Sequence, residues 1–215
     1  MVCPDGGQMS DFQLWWWPVG HSRAVPMGCV ATFGRLGRVQ DYGRSLLPWL
    51  KVDANVWFPL TRLRLSKSER EQRVRESLAA VGLTNAGSKY PWQLSGGMQQ
   101  RMAIARALAY RPSLLLMDEP FASVDAQTRA DLQDLVLKVR RQFDVTIGFV
   151  THDIDESVYL ADRIVVLSGP PTHVAAEFPV DLPRERDQIG TKELDNFIRL
   201  RGEVARMIRA MGKPE

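Results

Sequence analysis

Asp118 and Glu119, two adjacent carboxylates, follow the apolar run Leu114–Met117, and upstream of them Ser95, Gly96 and Gly97 open a helical pattern through Met98–Tyr110. These are parts suited to phosphate chemistry. The free backbone N–H groups of a helix start, with a dipole of about half a positive charge, can face an anion. Glycine, lacking Cβ, lets backbone approach phosphate closely. Four apolar residues read as a buried strand that delivers Asp118 and Glu119 to its carboxyl edge, where open α/β sheets bind ligands. In a nucleotide site the first carboxylate holds Mg²⁺, directly or through water, and the second orients or deprotonates an attacking water. Singly, Ser95 reads as a helix cap, the glycines as a turn and the two acids as a solvated loop; their shared register is the informative feature.

The stretch LSGGMQQR at 94–101 resembles the signature motif of ABC transporter ATP-binding subunits, SLLLMDEP at 113–120 resembles their Walker B strand, and Ser123-Val124-Asp125 resembles their D-loop. Thr151-His152-Asp153 follows one helix and one strand later, and parallel strand order would place it on the same rim as Glu119. Gln40 with Leu47-Pro48-Trp49 is similar to the Q-loop segment of the nitrate, sulfonate and taurine importer branch, as Glu177–Asp187 is to a stretch common there. The resemblance spans about 40–215. It implies an α/β fold: a P-loop NTPase-like ABC nucleotide-binding domain, with a parallel sheet core plus a helical subdomain, N-terminally incomplete.

The same resemblance implies ATP and Mg as cofactors, and coupling of ATP binding and hydrolysis to uptake of a nitrate-, sulfonate- or taurine-like solute. Glu119 and His152 would be catalytic, with His152 as the switch histidine. Ser95, Gly96 and Gly97 would bind nucleotide held by another subunit. Gln40 would be the Q-loop glutamine, Asp125 the D-loop aspartate, and Asp118 the magnesium ligand together with Gln40. The implied partners are a transmembrane permease subunit, a second ATP-binding subunit in a homo- or heterodimer and, indirectly, a periplasmic solute-binding protein, with no nucleic acid. The implied location is cytoplasmic, peripheral on the inner face of the plasma membrane.

Residues 1–39 depart from this pattern. No G-x-x-x-x-G-K-[ST] occurs anywhere, so the loop that would cradle the β- and γ-phosphates is missing from the chain. Ala24–Phe33 is a possible strand interrupted by Pro26 and Gly28, Trp15-Trp16-Trp17 has no periodic support around it, and Gly37-Arg38-Val39 makes a poor strand before Gln40. Two alternatives therefore stay open: a non-catalytic subunit that lends its signature motif to an intact partner, or an inactive fragment of a disrupted gene with 1–39 read in the wrong frame.

The 215 residues, 45% hydrophobic and 25% charged, are ordinary for a globular protein able to bury a sizeable core. A net charge of +3 without any block of like charge gives no sign of a nucleic-acid tail. Cys3 and Cys29 lack metal or CxxC spacing, which fits reduced thiols. Phe12–Val19 is broken by Gln13 and Pro18, and reads as neither a signal peptide nor a membrane span.

The elements that must position the candidate residues follow from local signals. Ser66 with Glu69 forms a capping box for a helix that stops at Gly82. Leu132, Leu135, Val136 and Val139 make an apolar stripe on a helix over about 127–142. Val145–Val150 and Arg163–Leu167 read as strands, Asp153 as the N-cap of Ile154–Leu160, and Lys192–Met211 as one amphipathic helix docking through Leu194, Phe197, Ile198, Val204, Met207 and Ile208. Trp49, Leu50 and Trp57 are either packed or contacts for a membrane subunit. The expected division is a divergent segment 1–39, an ATP-binding domain 40–168 (helical about 45–110, sheet about 111–168) and a C-terminal extension 169–215.

Overall fold

The structure is a computed structural model that describes residues 46–169 and 171–211, and the backbone of two strands before them. Those strands are β1, Leu14–Trp16, and β2, Leu36–Val39. Then come α1 (Val52–Trp57), α2 (Lys67–Ala80) and α3 (Gly96–Ala109), which build the helical part. Alternation follows: β3 (Leu114–Asp118), α4 (Ala126–Phe143), β4 (Thr146–Thr151), α5 (Ile154–Leu160) and β5 (Arg163–Leu167). The chain closes with β6 (Val174–Pro179), the short α6 (Gly190–Glu193) and α7 (Asp195–Met211).

The sheet order is β2-β3-β4-β1-β5-β6. Strands β2, β3 and β4 pair in parallel, while β1 lies antiparallel between β4 and β5, and β6 is antiparallel to β5. The parallel core thus carries two strands of opposite direction. The stretch expected to be a poor strand, Gly37-Arg38-Val39, pairs residue for residue with Leu115-Leu116-Met117. Its ladder comes from the neighbouring backbone rather than from an apolar pattern of its own. Ala24–Phe33 lies outside the described residues.

Local signals account for most other elements. Ser66 and Glu69 exchange the two capping-box bonds at the start of α2. Gly148 in β4 faces Leu116 of β3, where a Cβ would sit 2.7 Å from Leu116 Cδ2. One hydrophobic core runs from Val56, Leu60 and Leu78 of the helical part through Met102 and Leu108 to Leu115, Ile147 and Ile164 of the sheet. The helical part is therefore packed onto the sheet rather than hung from it.

The tail differs from its expected form in two ways. Val174–Pro179 is a strand that extends the sheet, and the amphipathic helix begins at Asp195, because Leu194 adopts extended backbone (ψ 136°) and separates it from α6. Phe197, Leu200 and Val204 are buried, at the i, i+3, i+7 spacing of one helix face. Leu194 and Ile198, expected to dock, lie off that stripe and are 38% and 48% exposed. The preceding segment is held by Arg186, which donates to the carbonyls of Tyr159 (2.6 Å) and Ala161 (2.9 Å). Among the described residues no helix is long and apolar enough to cross a membrane.

Candidate nucleotide site

Parallel pairing brings the carboxyl ends of β3 and β4 to one rim, with Asp118 opposite Val150. The Glu119 N–H donates to the Val150 carbonyl at 2.9 Å, and Glu119 itself turns into the left-handed region at φ 45°. A non-glycine residue held there costs about 1–3 kcal/mol, a strain found most often at functional sites. Phe121, buried just beyond, packs on Phe149 at 5.5 Å between ring centroids and holds the turn in place. This turn directs the Glu119 carboxylate at His152, whose Nδ1 lies 2.7 Å from Oε1. The hydrogen bond to Glu119 raises the His152 imidazole above its ordinary value, against a smaller opposing effect of burial.

The turn bearing His152 is built from its own neighbours. Asp153 N–H donates to Thr151 Oγ1 at 3.0 Å, and Asp153 caps α5 by accepting from the Glu156 N–H at 3.1 Å. Arg129 of α4 pairs with Asp153 at 3.6 Å and donates to the Val124 carbonyl at 3.5 Å, tying the loop after Glu119 to the His152 turn. The cleft that Glu119, Arg129, His152 and Glu156 help to line holds only about 80 Å³. A pocket that engulfs a small ligand runs to roughly 300–1,000 Å³. The described residues thus offer an open rim.

Arg129 and Glu156 were not singled out from the sequence, although Asp153-Ile154-Asp155-Glu156 has the D-x-x-E spacing of a helix start. Glu156 is 5% exposed, accepts from Gln133 Nε2 at 3.1 Å, and is pushed above the ordinary carboxyl value of 4.5 by burial, with Thr151 and Gln133 opposing. Because its folded pKa is raised, the native chain holds this proton where the unfolded chain releases it. Its contribution to stability is complete below pH 4.5 and lost as pH rises through the folded pKa. Glu156→Gln is expected to remove this loss and flatten the dependence of Tm on pH above 4.5. Thermal melts of both proteins across pH 4–7 measure it, and parallel curves would assign the pH dependence to other groups.

The remaining candidates form a second group. Ser95, exposed, caps α3 by accepting from the Met98 N–H at 3.3 Å, and Asp125 caps α4 by accepting from the Thr128 N–H at 3.0 Å. The Thr128 N–H bond first, and then one from the Thr128 hydroxyl at 2.7 Å, hold the Asp125 carboxyl below its ordinary value. Ser95, Gly96, Gly97 and Asp125 do not line the Glu119–His152 cleft.

Asp118 is half-buried at the rim and offers hard oxygen donors, which suits Mg²⁺ held by one or two carboxylates and completed by substrate phosphates and water. Among the described residues there is no group of three or more His, Cys, Asp or Glu side chains that could hold a metal ion. Gln40, its expected co-ligand, lies outside the described residues.

The sheet and helices have the fold of an ABC nucleotide-binding domain over part of this chain. Residues 31–122 match the family described as ABC transporter. The match starts ahead of Gln40, where the sequence resemblance was expected to begin, and takes in β2. The chain is 46% identical over 168 residues to the bicarbonate transport ATP-binding protein CmpC of Synechocystis sp. (strain ATCC 27184 / PCC 6803 / Kazusa), covering 77% of this chain and 25% of that protein. It is 50% identical over 143 residues to the aliphatic sulfonates import ATP-binding protein SsuB 1 of Pseudomonas aeruginosa (strain UCBPP-PA14), covering 66% of this chain and 55% of that one. Among solved structures, cbiO1 of Clostridium perfringens, part of the ABC transporter complex cbiONQ, superposes with a TM-score of 0.57 at 29% identity, over 60% of this chain and 51% of that one. The chain spans between about a quarter and just over half the length of these curated relatives.

Proposed function

We propose that this chain is an ATP-binding subunit of an ABC importer for a small solute of the nitrate, sulfonate or taurine kind, working with a second ATP-binding subunit. The observation that carries this is the Glu119–His152 pair, assembled at 2.7 Å on the carboxyl rim of parallel strands. Bound Mg-ATP supplies the γ-phosphoryl group. In this reading Glu119 takes a proton from water only where a nucleotide is held in front of it, a general-base contribution of about 10²–10⁴-fold there. His152 holds that carboxylate in place, and Asp118 presents oxygen to magnesium.

The sequence offers no glycine-lysine loop for the phosphates of its own nucleotide, which favours a more specific form of the proposal. In a head-to-tail pair the working site combines the phosphate loop of an intact subunit with Ser95, Gly96 and Gly97 of this chain. This chain then acts as the non-catalytic member. Phosphate release by a mixture of this chain and an intact homologous subunit tests the proposal.

A membrane subunit needs a docking surface, and two exposed tryptophans of the helical part support one there. Trp49 and Trp92 are each 69% exposed, and both adjoin a proline. Trp57, by contrast, is half-buried, with the Arg70 guanidinium 5.8 Å over its ring. Asn55, fully buried, accounts for Trp49: it accepts from the Leu47 N–H (2.9 Å) and donates to the carbonyls of Leu47 (3.0 Å) and Leu50 (2.8 Å), pinning that turn from beneath. Trp92 stacks on Tyr90 at 5.7 Å. Trp92→Ala is expected to weaken binding of the permease by about 2 kcal/mol, roughly 30-fold, with Tm unchanged. Titration against permease in lipid nanodiscs measures this, and full-strength binding would move the docking surface elsewhere.

A further inference from the structure

We propose that Thr128 is a positioning residue that couples the exposed Asp125 carboxylate to the backbone of Gly97, and so to the first turn of α3. The inference rests on the composite site proposed above. Thr128 donates twice to Asp125, from its N–H to Oδ1 at 3.0 Å and from its hydroxyl to Oδ2 at 2.7 Å. A helix cap requires only the first. The second fixes the side-chain torsion, and on a β-branched residue a fixed hydroxyl also fixes the methyl group. That methyl occupies the space a side chain at Gly97 would need: a Cβ built there lies 2.5 Å from Thr128 Cγ2, and the other Thr128 side-chain atoms are 3.8 Å or more away. Here glycine is required for close approach rather than for a left-handed backbone.

One side chain thus reads two candidate site residues at once. Asp125 is exposed, so a donor from another subunit can compete for its Oδ2. Losing that bond frees the Thr128 torsion, and the methyl lifts off Gly97. The turn with the free N–H groups at Ser95, Gly96 and Gly97 then relaxes. Contact at Asp125 and the anion-facing end of α3 would report to one another within a single chain.

A substitution cycle separates the two halves of the coupling. Gly97→Ala is expected to lower turnover in the mixture with an intact subunit by about tenfold to a hundredfold, the scale for misplacing a binding group by up to an ångström. Adding Thr128→Ser removes the obstructing methyl but keeps the hydroxyl, and should recover most of that loss. Thr128→Val keeps the methyl and loses the hydroxyl, and should lower kcat several-fold without the drop in Tm caused by Gly97→Ala. Failure of Thr128→Ser to rescue turnover overturns the proposal, as does rescue of melting alone, which would make Thr128 merely structural. Wild-type turnover from Thr128→Val overturns it too. If the unsubstituted mixture shows no turnover, the composite-site reading fails on its own, and an absence of rescue in the melts then overturns the contact itself.

Discussion

Ser95→Glu is expected to abolish the ATP hydrolysis that this chain supports with an intact homologous subunit, a loss of about 100-fold or more, the scale on which a single donor to a developing oxyanion acts. Ser95 stands exposed at the head of α3, where its hydroxyl caps Met98 and the first backbone N–H groups lie free for an anion. A carboxylate there places a like charge against the incoming phosphates, at a point where the composite site needs donors. The same charge complements the helix dipole by about 0.3–1 kcal/mol, which offsets part of the roughly 0.5–2 kcal/mol lost with the Ser95 cap. Loss of turnover would therefore not be loss of fold. The measurement is phosphate release with the intact subunit held constant and this chain titrated, with circular dichroism of both proteins alongside. Unchanged turnover would place the nucleotide away from α3.

The second large effect is an expected absence of turnover. This chain alone should release phosphate at less than about 1% of the rate of the mixture, because phosphoryl transfer depends on positioning and electrostatic stabilisation of the phosphates. Glu119 and His152 are assembled, but a base accelerates only a reaction whose other partner is held in front of it. No G-x-x-x-x-G-K-[ST] is present in the sequence to hold it. Calorimetric titration with ATP and a phosphate-release assay of the isolated chain measure this directly. Magnesium-dependent turnover that disappears in Glu119→Gln would show that the chain holds nucleotide by other means, and the non-catalytic form of the proposal would fail.

Much of the local architecture is legible in the sequence because the forces that set it are local. Ser66 with Glu69, Ser95 and Asp153 mark helix starts through bonds to backbone two or three residues on, and these caps are all present. Arg163–Leu167 is a strand with the bounds its apolar run predicts, and the stripe at Leu132, Leu135, Val136 and Val139 is buried. The rim placement of Glu119 and His152 also follows from the sequence, given parallel order, since a strand-helix-strand unit returns its carboxyl ends to one edge.

What only the tertiary structure decided involves partners distant in sequence. Leu36–Val39 carries no apolar alternation and is a strand because β3 offers it a ladder; the direction of β1 depends likewise on the backbones of β4 and β5. Trp49 faces outward because a buried asparagine six residues on holds its turn. Glu156 acquires its proton affinity from burial, which outweighs the opposing bond from Gln133, and Gly97 its importance from a methyl group on Thr128. Such contacts leave little trace in the pattern of either participant, because desolvation and close packing depend on what the rest of the chain brings alongside.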